Sequence, residues 1–190
     1  MKNNTNSIAF VCILIFITAI FRVINAEAHL YNLVPIAAIG LFSGSILQNR
    51  KWAYLIPLVA MFLSDLGLEL FTKTPGFYGI SQFINYGALA LVTLLGTQLV
   101  KRKPLQIAGF TLTGSLIFFL LSNFGTFLQG YYGFSFSGLI TCYTMAIPFY
   151  KYEMATTFFV NSFMGDLLFS TIAFGLLSAI QIRENKMQVI

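Results

Sequence analysis

Charged residues are scarce in this 190-residue chain, at 9% of the sequence, against about a quarter in an average soluble protein. The chain also contains one histidine, His29, and two cysteines, Cys12 and Cys142. Two cysteines do not make a disulfide framework. With one histidine and no His/Cys pair at metal-binding spacing, the sequence predicts no metal site.

Catalytic signatures are equally scarce. The chain contains no serine–histidine constellation, no glycine-rich phosphate loop with lysine and no nucleotide-binding domain. Two carboxylates, Asp65 and Asp166, could form an intramembrane pair that shares a proton, but neither is flanked by a catalytic motif. The sequence therefore predicts a protein that is not an enzyme, needs no cofactor and cannot itself hydrolyse ATP.

Apolar residues dominate the chain, at 57% of the sequence. Several apolar runs are long enough to cross a hydrocarbon core of about 30 Å, which takes roughly 20 helical residues. This pattern predicts a single-domain, all-α membrane protein with six transmembrane helices. The predicted spans are residues 8–24, 31–47, 53–71, 79–100, 105–124 and 157–181.

The net charge of +5 is explained by its distribution along the chain. If the six spans alternate in direction, eight cations lie on one side: Lys2, Arg50, Lys51, Lys101, Arg102, Lys103, Arg183 and Lys186. Three cations lie on the other side: Arg22, Lys73 and Lys151. The positive-inside rule then predicts a bacterial inner-membrane protein with both termini in the cytoplasm. No soluble basic face remains for nucleic acid.

The first span has a second interpretation. Lys2, the apolar run 8–21 and the small-residue pattern at 26–28 resemble a signal peptide with its cleavage site. Arg22 interrupts the approach to that site, which favours an uncleaved first helix. The rest of the topology is the same under either interpretation.

Polar residues within the spans are costly in lipid and usually face the bundle interior. The prominent ones fall in the outer half of the predicted bundle: Asn32, Asp65, Asn85, Asn123 and Asp166. One explanation is hydrogen bonding between helices. The bias of the whole set to one side favours the other explanation, a binding pocket with a few placed polar groups. The asparagines would hydrogen-bond a ligand, and the two aspartates would supply charge or hold helices in place.

The connection formed by residues 123–156 is unusual for its length and composition. It contains four glycines, one proline, many Phe and Tyr residues and only two charges. Connections this long are uncommon unless they are functional or disordered, and disorder requires a less apolar composition. We therefore predict a folded segment that faces outward and covers the pocket. Within it, Cys142 and Tyr143 are predicted ligand contacts, with Tyr143 stacking on or capping the ligand.

Five sequence blocks carry a resemblance to a known family. They are residues 32–39, 57–66, 122–125, 138–149 and 165–169. Through them, the chain resembles a bacterial integral-membrane family that is catalogued as a domain of unknown function. In size, span number, cytoplasmic termini and outward-side site, that family is in turn similar to the substrate-binding S components of energy-coupling-factor (ECF) vitamin transporters.

The S-component resemblance implies a protein that captures a micronutrient and then topples within the membrane against a shared ATP-driven module. S components commonly carry an Ala-xxx-Ala face for docking, whereas here Ala9 is followed four residues later by Ile13. A solitary transporter therefore stays open. We predict a membrane protein that binds and transports a small nutrient such as a vitamin. The alternative is a membrane protein that does not transport, such as an intramembrane enzyme or an assembly factor.

Overall fold

The computed structural model describes residues 5–27, 35–146 and 158–187, which form seven α-helices and no strand. The all-α prediction is confirmed for these residues. The helices are α1 (Thr5–Glu27), α2 (Ile36–Ile46), α3 (Arg50–Phe71), α4 (Ile80–Thr97), α5 (Pro104–Phe127), α6 (Phe136–Ala146) and α7 (Phe158–Met187).

Four of these helices are long and apolar enough to cross a membrane: α3, α4, α5 and the Phe163–Ile182 part of α7. They overlap the last four predicted spans. The prediction of six spans is wrong by this measure. Helix α2 has 11 residues and is about 16 Å long, and the described side chains of α1 form an apolar stretch only over Ile15–Ala26. The described residues therefore contain four helices that could each cross a membrane, as in a multi-pass membrane protein.

Helix α2 was mistaken for a span because it lies in the middle of the bundle. It packs against α1, α3, α4, α5 and α7, and nine of its 11 residues are buried. A helix that is apolar on all sides is either a membrane span or a buried core helix. Composition cannot separate the two, and only the length of α2 identifies it as a core helix.

The most extensive contact between helices joins α2 to α4. A Cβ atom at Gly44 of α2 would lie 2.1 Å from the carbonyl oxygen of Thr93. A Cβ atom at Gly96 of α4 would lie 2.4 Å from the carbonyl oxygen of Leu41. Glycine at both positions therefore lets the two backbones touch, as small residues do in membrane helix pairs.

Pro57 interrupts the backbone hydrogen bonds of α3, and a side chain of α2 compensates. Proline has no N–H, so the carbonyl of Ala53, four residues earlier, loses its helical donor. The Ser43 hydroxyl donates to that buried carbonyl at 2.8 Å. A backbone group that is shielded from water needs such a partner. This bond also fixes α2 against α3.

The connections between helices gather at two opposite ends of the bundle. At one end, the Gln129 amide donates to the carbonyl of Tyr78 at 3.0 Å and joins the α3–α4 and α5–α6 connections. At the other end, the Arg102 guanidinium donates to the carbonyl of Ser45 and joins the α4–α5 connection to the end of α2. The first end holds the candidate site, and the second holds most of the described cations.

The long connection predicted over residues 123–156 is partly helical. Helix α5 continues to Phe127, and Phe136–Ala146 form α6, which packs against α5. Gly130 and Gly133, both at positive φ, form the turn between the two helices. Residues 147–157 of this predicted segment lie outside the described residues. The described part folds back onto the helices, as predicted.

Replacing Gly44 with alanine tests the close approach of α2 and α4. The added methyl would meet a backbone oxygen at 2.1 Å, so the helices must separate, and overpacking of this kind costs about 1–3 kcal/mol. We expect a lower melting temperature in detergent for Gly44→Ala. The matched control is Gly87→Ala in α4, where a Cβ would meet nothing within 4 Å. Equal melting temperatures for the two variants would contradict the packing described here.

Candidate functional site

A cavity of about 490 Å³ opens among the helices, at the end where α3 ends and α4 begins. Residues from all seven helices and from two connections line it. Its polar wall includes Arg22, Asn85, Ser115, Asn123 and Asp166. Its apolar and aromatic wall includes Met61, Phe118, Phe119, Tyr132 and Met145. Such a mixture, apolar with a few placed polar groups, is typical of small-molecule sites.

An ion pair between Arg22 of α1 and Asp65 of α3 lies beside the cavity. The Asp65 side chain is completely buried, whereas the Arg22 side chain is 15% exposed. Asp65 also accepts hydrogen bonds from the Tyr86 hydroxyl at 2.8 Å and from the Gln82 amide at 3.3 Å. One carboxylate therefore joins α1, α3 and α4.

The ion pair positions Arg22 on the cavity wall. Arg22 lines the cavity, whereas Asp65 is not among its lining residues. The same guanidinium donates to the Ser64 hydroxyl. Because Ser64 and Asp65 of α3 both accept from the guanidinium, Arg22 is fixed on the cavity wall. Its side chain is mostly buried, so salt screens its positive charge only in part. Asp65 thus acts as a positioning residue for Arg22.

Asp166 of α7 caps the buried first turn of α2. One carboxylate oxygen accepts from the Ala38 backbone N–H at 2.9 Å, and the other accepts from the Ser115 hydroxyl at 2.6 Å. The first N–H groups of any helix need acceptors from outside the helix. The residue at the N-cap position of α2 is Pro35, which makes no side-chain cap. Asp166 supplies the missing acceptor from another helix while it also lines the cavity.

Asn85 of α4 leaves one polar atom without a partner. Its amide nitrogen donates to the Tyr78 hydroxyl at 3.2 Å. Burial and the charge of Asp65 raise the pKa of that hydroxyl, so Tyr78 stays protonated at neutral pH. Among the described side chains, the carbonyl oxygen of Asn85 is the buried polar atom without a hydrogen-bond partner. Leaving such a group unsatisfied costs about 1–3 kcal/mol.

Helix α6 closes one side of the cavity and is fastened to α5 by two side chains. The Tyr143 hydroxyl donates to the Leu120 carbonyl at 2.6 Å, and the Cys142 thiol donates to the Asn123 carbonyl at 3.4 Å. Cys142 is only 2% exposed, and burial raises the pKa of its thiol. The Asn123 amide donates within its own helix, to the Phe119 carbonyl at 2.8 Å.

The structure brings four of the predicted site residues together on the cavity wall: Asn85, Asn123, Cys142 and Asp166. Two others lie next to it without lining it. Asp65 holds Arg22, and Tyr143 fastens α6 to α5. Asn32, the seventh, lies outside the described residues. A role in binding stays a prediction for each of them.

The sequence analysis missed Arg22 as a site residue because it counted this arginine only among the charges of the outer side, although Arg22 lies within the predicted span 8–24. An available signal was its position immediately after the apolar run 8–21, since an arginine at membrane depth marks a functional site by default. Ser115 was also missed, and the apolar sequence around it offers no comparable signal. Among the described residues, no three His, Cys, Asp or Glu side chains are grouped to hold a metal ion.

The chain belongs to the family described as Family of unknown function (DUF6580), whose model matches residues 2–188. No curated protein and no solved structure matches the chain. The predicted membership of a family of unknown function is therefore confirmed over nearly the whole sequence. The predicted similarity to S components gains no support from these comparisons and stays a prediction.

A double-mutant cycle at Arg22 and Asp65 tests the ion pair. Removing one partner of a buried pair strands the other charge and typically costs roughly 3–5 kcal/mol. We therefore expect Arg22→Met and Asp65→Leu, each alone, to lower the melting temperature in detergent strongly. Since replacing both partners removes the stranded charge, Arg22→Met/Asp65→Leu should recover part of that loss. The control is Glu69→Gln, an exposed carboxylate on the same helix, for which we expect a small effect. Additive losses in the double variant would show that the pair is not coupled.

Proposed function

We propose that this protein binds a small nutrient in the cavity and carries it across the bacterial inner membrane, in the manner of an S component. The volume of about 490 Å³ falls within the roughly 300–1,000 Å³ of small-molecule sites. Every described helix contributes to the wall, so a bound molecule would contact the whole bundle. A shift between helices and the release of the molecule would then be coupled.

The observation that carries the proposal is the unpartnered carbonyl oxygen of Asn85. Native proteins satisfy nearly all buried polar atoms, so an exception calls for an explanation. A ligand with an N–H or O–H donor would complete this hydrogen bond. The amide nitrogen of Asn85 already donates to Tyr78. This hydrogen bond would fix the direction of the Asn85 carbonyl oxygen.

The other residues of the cavity wall further restrict which ligands would fit. Arg22 brings a positive charge to the cavity, which favours a ligand with an acceptor or a negative charge at that point. The aromatic wall includes Phe118, Phe119 and Tyr132, which suits a flat ring. We therefore propose a small ring-bearing molecule with both donor and acceptor groups, a description that fits a vitamin.

The charge distribution supports an outward-facing cavity. The described cations concentrate at the opposite end of the bundle, in Arg50, Lys51, Lys101, Arg102 and Lys103. By the positive-inside rule that end is cytoplasmic, and the cavity with α6 then faces outward. Energy for transport would come from outside the described fold. The resemblance to S components favours a shared ATP-driven module, although a solitary transporter fits the same cavity.

Mass spectrometry of small molecules that co-purify with the detergent-solubilised protein tests the proposal. We expect one class of donor-bearing molecule in the wild-type protein. Because Asn85→Ala removes its hydrogen-bond acceptor, that variant should retain roughly tenfold less, which corresponds to about 1.4 kcal/mol. The stability of the empty variant should not fall, since the substitution also removes an unsatisfied group. Thr113→Ala, an exposed position on α5, is the control and should retain the molecule.

Other outcomes of that experiment would contradict the proposal. If Asn85→Ala lowers the melting temperature and leaves the retained molecule unchanged, Asn85 is a packing group. If the retained molecule is chemically altered over time by the wild-type protein, an intramembrane enzyme becomes the better explanation. If nothing co-purifies and no candidate vitamin raises the melting temperature, a binding function is wrong.

Labelling of Cys142 with a membrane-impermeant maleimide tests the position of α6 and the side on which the cavity opens. In a Cys12→Ala background, we expect slow labelling from the outside, because the thiol is buried and its raised pKa leaves little thiolate at neutral pH. The rate should rise with pH over a range displaced upward from that of a free thiol. Bound ligand should slow it further.

The matched control is Ser137→Cys in a background without other cysteines, since Ser137 is an exposed residue of the same helix. This cysteine should be labelled quickly from the outside. If Cys142 is labelled as quickly as the control, α6 is a loose surface segment. If the control is labelled only after the membrane is permeabilised, the proposed orientation is inverted.

A further inference from the structure

We infer that the end of the bundle opposite the cavity carries a binding surface for the headgroups of anionic phospholipids. This basic surface consists of Arg50 and Lys51 at the start of α3 and Lys101, Arg102 and Lys103 before α5. All five residues are exposed. None lines the cavity, so the inference does not depend on the proposed function.

The fold brings the two groups of cations to one place. The Arg102 guanidinium donates to the carbonyl of Ser45, near the C-terminal end of α2. Only a short connection then separates α2 from Arg50, where Asn49 caps α3 by accepting from the Lys51 backbone N–H at 3.0 Å. The two groups of cations therefore lie at the same end of the bundle, beside the C-terminal end of α2.

No acidic residue offsets these charges within the two connections, residues 47–51 and 98–103. A surface with several clustered cations attracts phosphate groups, and each Lys or Arg near an anionic membrane contributes about 1 kcal/mol. The positive-inside rule explains only how many cations lie on each side of the membrane. It does not explain why the Arg102 guanidinium is hydrogen-bonded to another helix.

Exposed apolar side chains next to the cations identify a lipid as the source of the phosphate. Trp52 is 47% exposed, Val100 79% and Leu105 85%. Each lies within two residues of a cation of the basic surface. Tryptophan beside Lys and Arg at the end of a membrane helix is typical of the headgroup level of a bilayer. A soluble phosphate would use the cations and leave these side chains in water.

Trp52 is the single tryptophan of the chain and reports directly on this surface. The experiment uses the purified protein in phosphatidylcholine vesicles that contain a minor fraction of brominated lipid, which quenches tryptophan fluorescence at short range. One set of vesicles contains brominated phosphatidylglycerol, and the other contains brominated phosphatidylcholine at the same fraction. We expect severalfold stronger quenching by the anionic lipid, and we expect added salt to weaken the difference.

Lysine variants test whether the preference for anionic lipid is due to the basic surface. For Lys101→Gln/Lys103→Gln, we expect the preference to fall by roughly fivefold or more, the factor that about 1 kcal/mol represents. The control is Lys73→Gln, an exposed lysine at the cavity end, which should leave the preference unchanged. Equal quenching by the two lipids in the wild-type protein would overturn the inference. The inference would also be overturned if inorganic phosphate abolished the preference for anionic lipid and sodium chloride of equal ionic strength did not. The surface would then bind free phosphate.

Discussion

The fold depends on a hydrogen bond to the first turn of α2, a helix that lies inside the bundle. Helix α2 packs against five other helices, and the first N–H groups of any helix need acceptors from outside that helix. The side chain of Pro35 cannot supply one, and Asp166 accepts from the Ala38 N–H instead. Ser115 in turn satisfies the second oxygen of Asp166. A single carboxyl group therefore connects α2, α5 and α7.

The short helix α2 begins beside the cavity. A helix of 11 residues covers only about half of a hydrocarbon core of about 30 Å. The longer neighbours α3, α4 and α5 continue past its first turn, where Ile36 and Ala37 form part of the cavity wall. Asp166 therefore caps α2 from a position on the cavity wall, beside a potential ligand.

The sequence predicted the long spanning helices because lipid-facing helices are long and apolar, a pattern that hydropathy detects directly. It failed for α2, since a buried core helix is as apolar as a span. Asp166, Asn85 and Asn123 were predicted as site residues from their depth, and Cys142 from its place in the outward-facing segment 123–156. All four line one cavity. The pairing of Arg22 with Asp65, 43 positions away, could not be predicted. Contacts between distant residues depend on how the helices pack, and no local pattern encodes them.

Hydrogen bonding between helices and ligand binding were alternative explanations for the polar residues, and the structure separates them residue by residue. Asp65 has three donors and sits behind the wall. Its hydrogen bonds are therefore those of a group that joins helices. Asp166 lines the cavity, but both of its oxygens already have partners in the bundle. Asn85 differs from both, because its carbonyl oxygen is buried and has no partner among the described residues. A hydrogen bond from a ligand would satisfy that oxygen, so the case for a ligand depends most on Asn85.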